Sequence, residues 1–332
     1  FQVEEKIILA TGHAHAFHRA STLSAIENGY FREEGLPSVE LGATGACPLT
    51  VESLKSGEID FGLDVRTGLI LAENSKGGEL YIIAGMLNHL DLTLIGAPEI
   101  KSIADLRGGK IGVLETGSGK GVPWIKMLLR KEGIDPDKEV TWVLDSGYTS
   151  LQFQAPRLRR GDYQATLLSA HHKRPELFDL IAQAGFTHLA EHAETHPGGL
   201  PERIVATSGE TLRKYPQIVK SVLKGIVRGY RFARDPRNAG ELRDLYLTSD
   251  WGKEGFGWGK FDETLIDGMV KSSRILPHDG GISIMGLDEL IEEDKASGNL
   301  PGDFKKERVL WLKPLQEAVS ELNARFGPEG YN

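Results

Sequence analysis

The sequence predicts an α/β fold in two lobes, and two patterns support this prediction. Short runs rich in Ile, Val and Leu alternate with longer segments whose apolar residues recur at helical spacing, as expected for sheets covered by helices on both faces. The same alternation begins again after about residue 100. Because a chain of 332 residues is long enough for two separate cores, each part is expected to form its own lobe.

The first lobe is predicted to contain a sheet flanked by helices. Its candidate strands cover residues 6–10, 39–41, 60–63 and 80–86. Its candidate helices cover residues 18–30, 48–56 and 66–74. In the first of these helices Leu23, Ile26 and Tyr30 fall at helical spacing, and Gly35 marks the point at which the chain leaves the helix.

The second lobe repeats the pattern. Its candidate strands cover residues 111–114, 140–144 and 163–168, and its candidate helices cover residues 123–132 and 151–160. Pro123 and Gly133 give the first of these helices the usual proline at its start and glycine after its end.

Two strands, over residues 91–95 and 203–207, are expected to pass from one lobe to the other. The lobes are therefore predicted to be discontinuous, with residues 1–92 and 206–332 in the first and residues 93–205 in the second. After the second crossing, an apolar stripe between Val219 and Tyr230 predicts a long helix that packs on the first lobe. Further helices over 265–275 and 305–326 are expected to close over the same lobe.

Three phrases in the sequence resemble one known family. They are Gly-Tyr-Phe-Arg-Glu-Glu-Gly-Leu at 29–36, Leu-Lys-Ser-Gly-Glu-Ile-Asp-Phe-Gly at 54–62 and Ser-Ile-Ala-Asp-Leu-Arg-Gly at 102–108. They resemble the solute-binding proteins of ABC importers, in particular the group that handles nitrate, alkanesulfonates, taurine and thiamine-pyrimidine precursors. The resemblance covers residues 7 to 235, roughly. It implies a type II periplasmic-binding-protein fold with a ligand cleft between the lobes.

Composition excludes several other classes of protein. A net charge of −8 without a basic patch argues against nucleic acid as a partner. No apolar run reaches the roughly 18 residues that a membrane helix requires. The single cysteine, Cys47, excludes an intrachain disulfide and cannot form a cysteine-based zinc site by itself. A chain that begins at Phe1 rather than Met suits a mature product whose signal peptide has been cleaved.

Ligands of open α/β sheets bind at the loops that follow the carboxyl ends of strands. Two such loops, at 42–47 and 116–121, are rich in glycine and precede predicted helices, whose free N–H groups favour negative charge. Thr44, Cys47, Thr116 and Ser118 are therefore predicted to hold a carboxylate or sulfonate. The alternative is that these residues only cap their helices. Because both loops match ligand-contacting loops of the resembling family, the binding interpretation is preferred, and it extends to Gly12 and Gly119.

Histidines are concentrated in the same kind of loop. Imidazoles suit an oxygen-rich ligand, and five of them are predicted to contact it: His13, His15, His89, His171 and His172. The spacing of His13, His15 and His18 matches no established zinc pattern, so no metal is predicted. His188, His192 and His196 lie in a stretch flanked by Gly and Pro, and they are expected to be incidental surface residues.

Arg66 is the best placed positive charge near the expected cleft. It begins the helix after Asp64, where its guanidinium could bind a carboxylate or sulfonate in bidentate fashion. The alternatives are a salt bridge with Asp64 or a solvated helix start.

The resemblance implies a receptor rather than an enzyme. Such a receptor closes on a small anionic or polar organic molecule and presents it to an ABC permease at the membrane surface. It is expected to be a periplasmic or otherwise extracytoplasmic monomer without a cofactor, and its precursor could carry a lipid anchor. The alternative is an enzyme on the same fold, of desulfinase or decarboxylase type, with Cys47 as nucleophile and a histidine from 13–18 as base. A pyrimidine synthase is disfavoured because the cysteine-rich iron motif of that group has no counterpart here.

Overall fold

A computed structural model describes residues 6–12, 19–89, 92–114, 121–145, 150–169, 176–248 and 263–332. The chain divides into two compact units. The first unit comprises Phe1–Asn88, Pro201–Ile291 and Leu300–Asn332, and the second comprises His89–Leu200 and Glu292–Asn299. Each unit contains one sheet with flanking helices, so the predicted α/β class is confirmed.

The described strands, numbered in chain order, are β1 (Ile7–Thr11), β2 (Val39–Ala43), β3 (Phe61–Arg66), β4 (Leu80–Leu87), β5 (Leu92–Gly96), β6 (Lys110–Val113), β7 (Thr141–Leu144), β8 (Ala165–Ser169), β9 (Thr187–Glu191) and β10 (Arg203–Ser208). The described α-helices are α1 (Arg19–Glu27), α2 (Tyr30–Glu33), α3 (Cys47–Ser56), α4 (Thr67–Ser75), α5 (Val122–Lys131), α6 (Leu151–Arg160), α7 (Glu176–Gln183), α8 (His192–Thr195), α9 (Gly209–Lys214), α10 (Pro216–Arg234), α11 (Ala239–Thr248), α12 (Glu263–Ser272), α13 (Ile284–Ala296) and α14 (Lys313–Phe326).

The sheet of the first unit has the strand order β2-β1-β3-β10-β4. Strand β1 is parallel to β2 and β3, and β10 is antiparallel to both β3 and β4. The carboxyl ends of β1, β2, β3 and β4 therefore lie at one edge, together with the start of β10. We call this edge the first carboxyl edge.

The long helix α10 packs within the first unit, mainly against α1 and α14, as the apolar stripe predicts. Its residues Val219, Val222, Leu223 and Ile226 are buried. Its glycines allow a close approach, because a Cβ at Gly229 would lie 2.3 Å from the carbonyl oxygen of Ser21 on α1. The predicted packing of this helix on the first unit is thus confirmed.

The sheet of the second unit has the strand order β7-β6-β8-β5-β9. Strand β6 is parallel to β7 and β8, whereas β5 is antiparallel to β8 and β9. The ends of β6, β7, β8 and β9 therefore lie at one edge with the start of β5, and we call it the second carboxyl edge. Helix α5 packs its fully buried Trp124 into this unit, with Pro123 in its first turn and Gly133 just past its end.

The divisions at 88/89 and 200/201 lie close to the predicted boundaries at 92/93 and 205/206. Residues 292–299, which the sequence predicts in the first lobe, belong to the second unit of the structure. Charged contacts explain the difference. Arg130 of α5 donates to Glu293 at 2.9 Å, and Lys126 donates to the Ser297 hydroxyl at 2.9 Å.

Among the helices in the described ranges, none combines the length and the apolar character needed to cross a membrane.

Candidate functional site

The structure describes five of the predicted ligand-binding residues. Gly12, Thr44, Cys47 and Arg66 lie at the first carboxyl edge, and His89 lies in the second unit. The others fall outside the described residues and stay predictions: His13, His15, Thr116, Ser118, Gly119, His171 and His172.

Arg19 places a buried positive charge at the ends of β1 and β2. Its guanidinium donates to the Thr11 hydroxyl at 2.8 Å, to the Gly42 carbonyl at 2.6 Å and to the Leu41 carbonyl at 3.3 Å. Burial lowers the pKa of Arg19 to about 10, so the side chain is still protonated at neutral pH. Each of these three hydrogen bonds goes to a neutral oxygen.

Gly12 brings the end of β1 against the start of helix α3. A Cβ at this position would lie 2.7 Å from the Cys47 amide nitrogen and 2.8 Å from its sulfur, closer than real Cβ atoms approach. By contrast, a Cβ at Gly42 would meet its nearest atom, the Leu9 carbonyl oxygen, at an ordinary 3.8 Å. Gly12 is therefore required by packing, and it keeps the N-terminus of α3 at the first carboxyl edge.

Thr44 belongs to the turn before α3. Its hydroxyl lies 2.7 Å from the Thr50 hydroxyl and donates to the Ala46 carbonyl at 3.1 Å. Its N–H donates to the Thr11 carbonyl at 2.9 Å. The side chain thus orders the turn that presents the helix start.

Cys47, Asp64 and Arg203 form a buried polar cluster at the same edge. Arg203 donates to the Cys47 sulfur at 3.3 Å and to the Asp64 carbonyl at 3.4 Å, and its Nε lies 3.5 Å from Asp64 Oδ1. Burial alone would lower the pKa of Arg203, but the charges of Asp64, Cys47 and Glu202 raise it. Asp64 has a φ of 59°, in the left-handed region where non-glycine residues are uncommon and which recurs at functional sites.

Arg66 lies directly opposite Arg203. The two are partners in the antiparallel register of β3 and β10, and both are buried. Like charges directly opposite each other destabilise a strand pair. Arg66 is the last residue of β3 and the N-cap of α4, which agrees with its predicted position. Asp64 is ion-paired with Arg203.

Sequence reasoning missed Arg203 and Arg19 as members of this edge, and it treated Asp64 only as an alternative partner of Arg66. For Arg203 the available signal is an arginine and a glutamate at the start of an apolar strand, Glu-Arg-Ile-Val-Ala. Charged residues in such a position are seldom buried unless they are paired.

The interpretation of His192 as an incidental surface residue is wrong. It begins α8 directly after β9, at the second carboxyl edge, and it is fully buried. Its ring centroid lies 5.4 Å from that of Trp124, 6.0 Å from that of His196 and 6.4 Å from that of His89. The polar sequence around His192 gives no sign of its burial, which arises from tertiary packing against Trp124 of α5.

Burial determines the charge of these imidazoles. It lowers the pKa of His192 to about 3, with smaller contributions from His196 and His89. Burial also lowers the pKa of His89. Both rings are therefore neutral at physiological pH. Within the described ranges no group of three or more His, Cys, Asp or Glu side chains could hold a metal ion.

Residues 17–239 match the model of the NMT1/THI5-like family, and the chain belongs to this family. No curated protein sequence matches the chain.

Solved structures share the fold over nearly the whole chain. The periplasmic sulfonate-binding protein SsuA from Methylobacillus flagellatus KT has a TM-score of 0.67 at 16% identity, over 96% of this chain and 95% of that one. The periplasmic nitrate-binding protein NrtA from Synechocystis PCC 6803 has a TM-score of 0.62 at 14% identity, over 96% and 89%. A cysteine-to-serine variant of DSZB in complex with biphenyl-2-sulfinic acid has a TM-score of 0.59 at 13% identity, over 95% and 99%.

The predicted type II periplasmic-binding-protein fold is confirmed by these likenesses. Identities this low establish the fold alone. The ligand has to be inferred from the residues of this chain. Several of the similar structures are those of binding proteins, for sulfonates and for nitrate.

Proposed function

We propose that the chain is an extracytoplasmic solute-binding receptor of an ABC importer, which binds a small anion of the carboxylate or sulfonate class at the first carboxyl edge. The observation that carries the proposal is the buried pair Arg66 and Arg203, directly opposite each other on β3 and β10. An anion between two guanidinium groups would relieve the repulsion between them.

The charges around the pair favour the same class of ligand. Among the described residues at this edge, three buried arginines (Arg19, Arg66 and Arg203) accompany two buried carboxylates (Asp64 and Glu202). Guanidinium groups suit a carboxylate or sulfonate, which they can bind through paired hydrogen bonds.

The start of α3 adds a second source of positive potential. Its N-cap Ala46 supplies no side-chain hydrogen bond, and the first turn of a helix presents N–H groups that suit a carboxylate or sulfonate oxygen. Guanidinium groups and a helix N-terminus together match the acceptor-only oxygens of such ligands.

The proposed receptor would work with an ABC permease at the membrane surface, as a monomer and without a cofactor. Support comes from family membership and from the fold, which sulfonate- and nitrate-binding proteins of importers share.

Arg66→Ala is expected to weaken binding of the anion by about 2 kcal/mol, roughly 30-fold, because it leaves the buried negative charge with one guanidinium fewer. The anion is first identified by native mass spectrometry of freshly purified protein and then titrated calorimetrically, together with taurine, ethanesulfonate and acetate. The matched control is Arg213→Ala, which removes an exposed arginine paired with Glu79 in the same unit. Wild-type affinity in a folded Arg66→Ala variant would remove Arg66 from the site.

One observation keeps an enzyme as the second candidate. The Cys47 sulfur lies at the first residue of α3 and accepts a hydrogen bond from Arg203 at 3.3 Å, and both features are found at reactive cysteines. Against a nucleophile, Cys47 is only 1% exposed.

In a receptor, Cys47→Ser is expected to change ligand affinity by no more than about 1 kcal/mol, because the backbone N–H at the helix start is retained. Calorimetric titration of the variant with the identified anion measures this. Rapid alkylation of Cys47 near neutral pH that the ligand blocks, with turnover lost in the serine variant, would favour the enzyme instead.

A further inference from the structure

Buried polar atoms without hydrogen-bond partners are concentrated at one end of the β5–β9 strand pair. In the described part of the second unit, such atoms lie on three residues: Nδ1 of His89, Oγ1 of Thr93, and both ring nitrogens of His192. Thr93 pairs in register with Glu191, the residue before His192. All three residues therefore lie near the second carboxyl edge.

This concentration requires an explanation. Buried polar groups in native proteins nearly always have a partner, and each one without a partner lowers stability. Neighbouring polar groups do have hydrogen-bond partners. The Trp124 indole N–H donates to the Thr195 hydroxyl at 2.9 Å, and that hydroxyl donates to the Glu191 carbonyl at 2.9 Å. The unsatisfied atoms are thus a local property of His89, Thr93 and His192.

The separation of the two imidazoles restricts what their unpartnered nitrogens can share. Their centroids are 6.4 Å apart and their planes are nearly perpendicular, at 85°. Two histidines that bind one zinc ion at a tetrahedral angle have centroids about 5 Å apart. Two histidines hydrogen-bonded to one shared oxygen have centroids roughly 6 to 6.5 Å apart. The observed distance fits the oxygen and is too long for the metal.

We propose that His89 and His192 share one oxygen of an O–H group, supplied by a buried water molecule or by a hydroxyl of a bound small molecule. A neutral imidazole offers one donor and one acceptor, so an O–H oxygen can donate to one ring while it accepts from the other. A carboxylate or sulfonate oxygen can only accept. This site is therefore chemically distinct from the arginine pair of the first unit and does not depend on the proposed function.

His192→Phe tests the proposal by the sign of its effect on thermal stability. If the shared oxygen is present, phenylalanine removes its hydrogen bond with residue 192. The oxygen and His89 then lose a partner, and the Tm falls by several degrees. If the space is dry, phenylalanine fills a similar volume and removes two unpartnered nitrogens, and the Tm rises or stays unchanged. The second result would overturn the proposal. The control is His188→Phe, which changes an exposed histidine on β9 beside the ring of Phe178.

A second measurement holds even if the variant does not fold. A high-resolution crystal structure of the wild-type chain should show an oxygen within about 3.2 Å of a ring nitrogen of both His89 and His192. A metal ion between the rings, or no density between them, would overturn the proposal.

Native mass spectrometry distinguishes the two sources of the oxygen. A co-purified hydroxyl compound that is lost in His192→Phe assigns the oxygen to a ligand. An ordered water in the crystal, with no co-purified compound, assigns it to solvent. Either result supports the shared oxygen.

Discussion

Arg203→Met is expected to lower the free energy of unfolding by about 3–5 kcal/mol. Arg203 is buried with its Nε 3.5 Å from Asp64 Oδ1, and it also donates to the Cys47 sulfur. Methionine keeps much of the volume and removes the charge, which leaves the buried Asp64 without this cation. Chemical denaturation followed by circular dichroism measures the loss.

A double variant separates the charge effect from the change in packing. Asp64→Asn in the Arg203→Met background removes the carboxylate that has lost this cation, and asparagine tolerates the positive φ at this position. We expect it to recover part of the lost stability. Arg213→Met, at an exposed salt bridge with Glu79, should cost no more than about 1 kcal/mol. If Arg203→Met and the double variant were equally unstable, loss of the ion pair with Asp64 would not explain the destabilisation by Arg203→Met.

The stability of the chain is expected to fall as the pH decreases from 6.5 toward 3, because of His192. Burial lowers the pKa of this residue from 6.5 to about 3 in the folded chain. Between these values the unfolded chain binds a proton that the folded chain does not. Each pH unit therefore costs up to about 1.4 kcal/mol of folding free energy from this group.

The comparison with His192→Phe isolates this contribution. Urea denaturation at a series of pH values should show that the variant loses less stability than the wild type over the same acid range. Burial also lowers the pKa of His89. This residue therefore also lowers stability in acid, and it does so in both proteins. Parallel acid profiles for the two proteins would show that His192 is not buried in its neutral form.

Local patterns predicted most of the fold, because the information lies within each element. The stripe on α10 defines its buried face, and Pro123 with Gly133 defines the limits of α5. Arg66 could be placed because it follows directly on an apolar strand.

The features that local patterns did not predict depend on contacts between residues distant in sequence. Arg203 reaches Cys47 only because β10 pairs antiparallel with β3, and no pattern near residue 203 reveals that partner. His192 lies in a polar stretch, and its burial is decided by Trp124 on α5. The predicted roles of His13, His15, Thr116, Ser118, Gly119, His171 and His172 lie outside the described residues.

The assignment of residues 292–299 to the second unit limits how this protein can be dissected or recombined. A gene fragment that encodes residues 89–200 alone would omit Glu293 and Ser297, which accept hydrogen bonds from Arg130 and Lys126 of α5. Lys126 is nearly buried in the intact chain and would lose one of its partners. Grafting the second unit onto another scaffold, or exchanging it between homologues, would therefore require the transfer of two separate stretches of coding sequence.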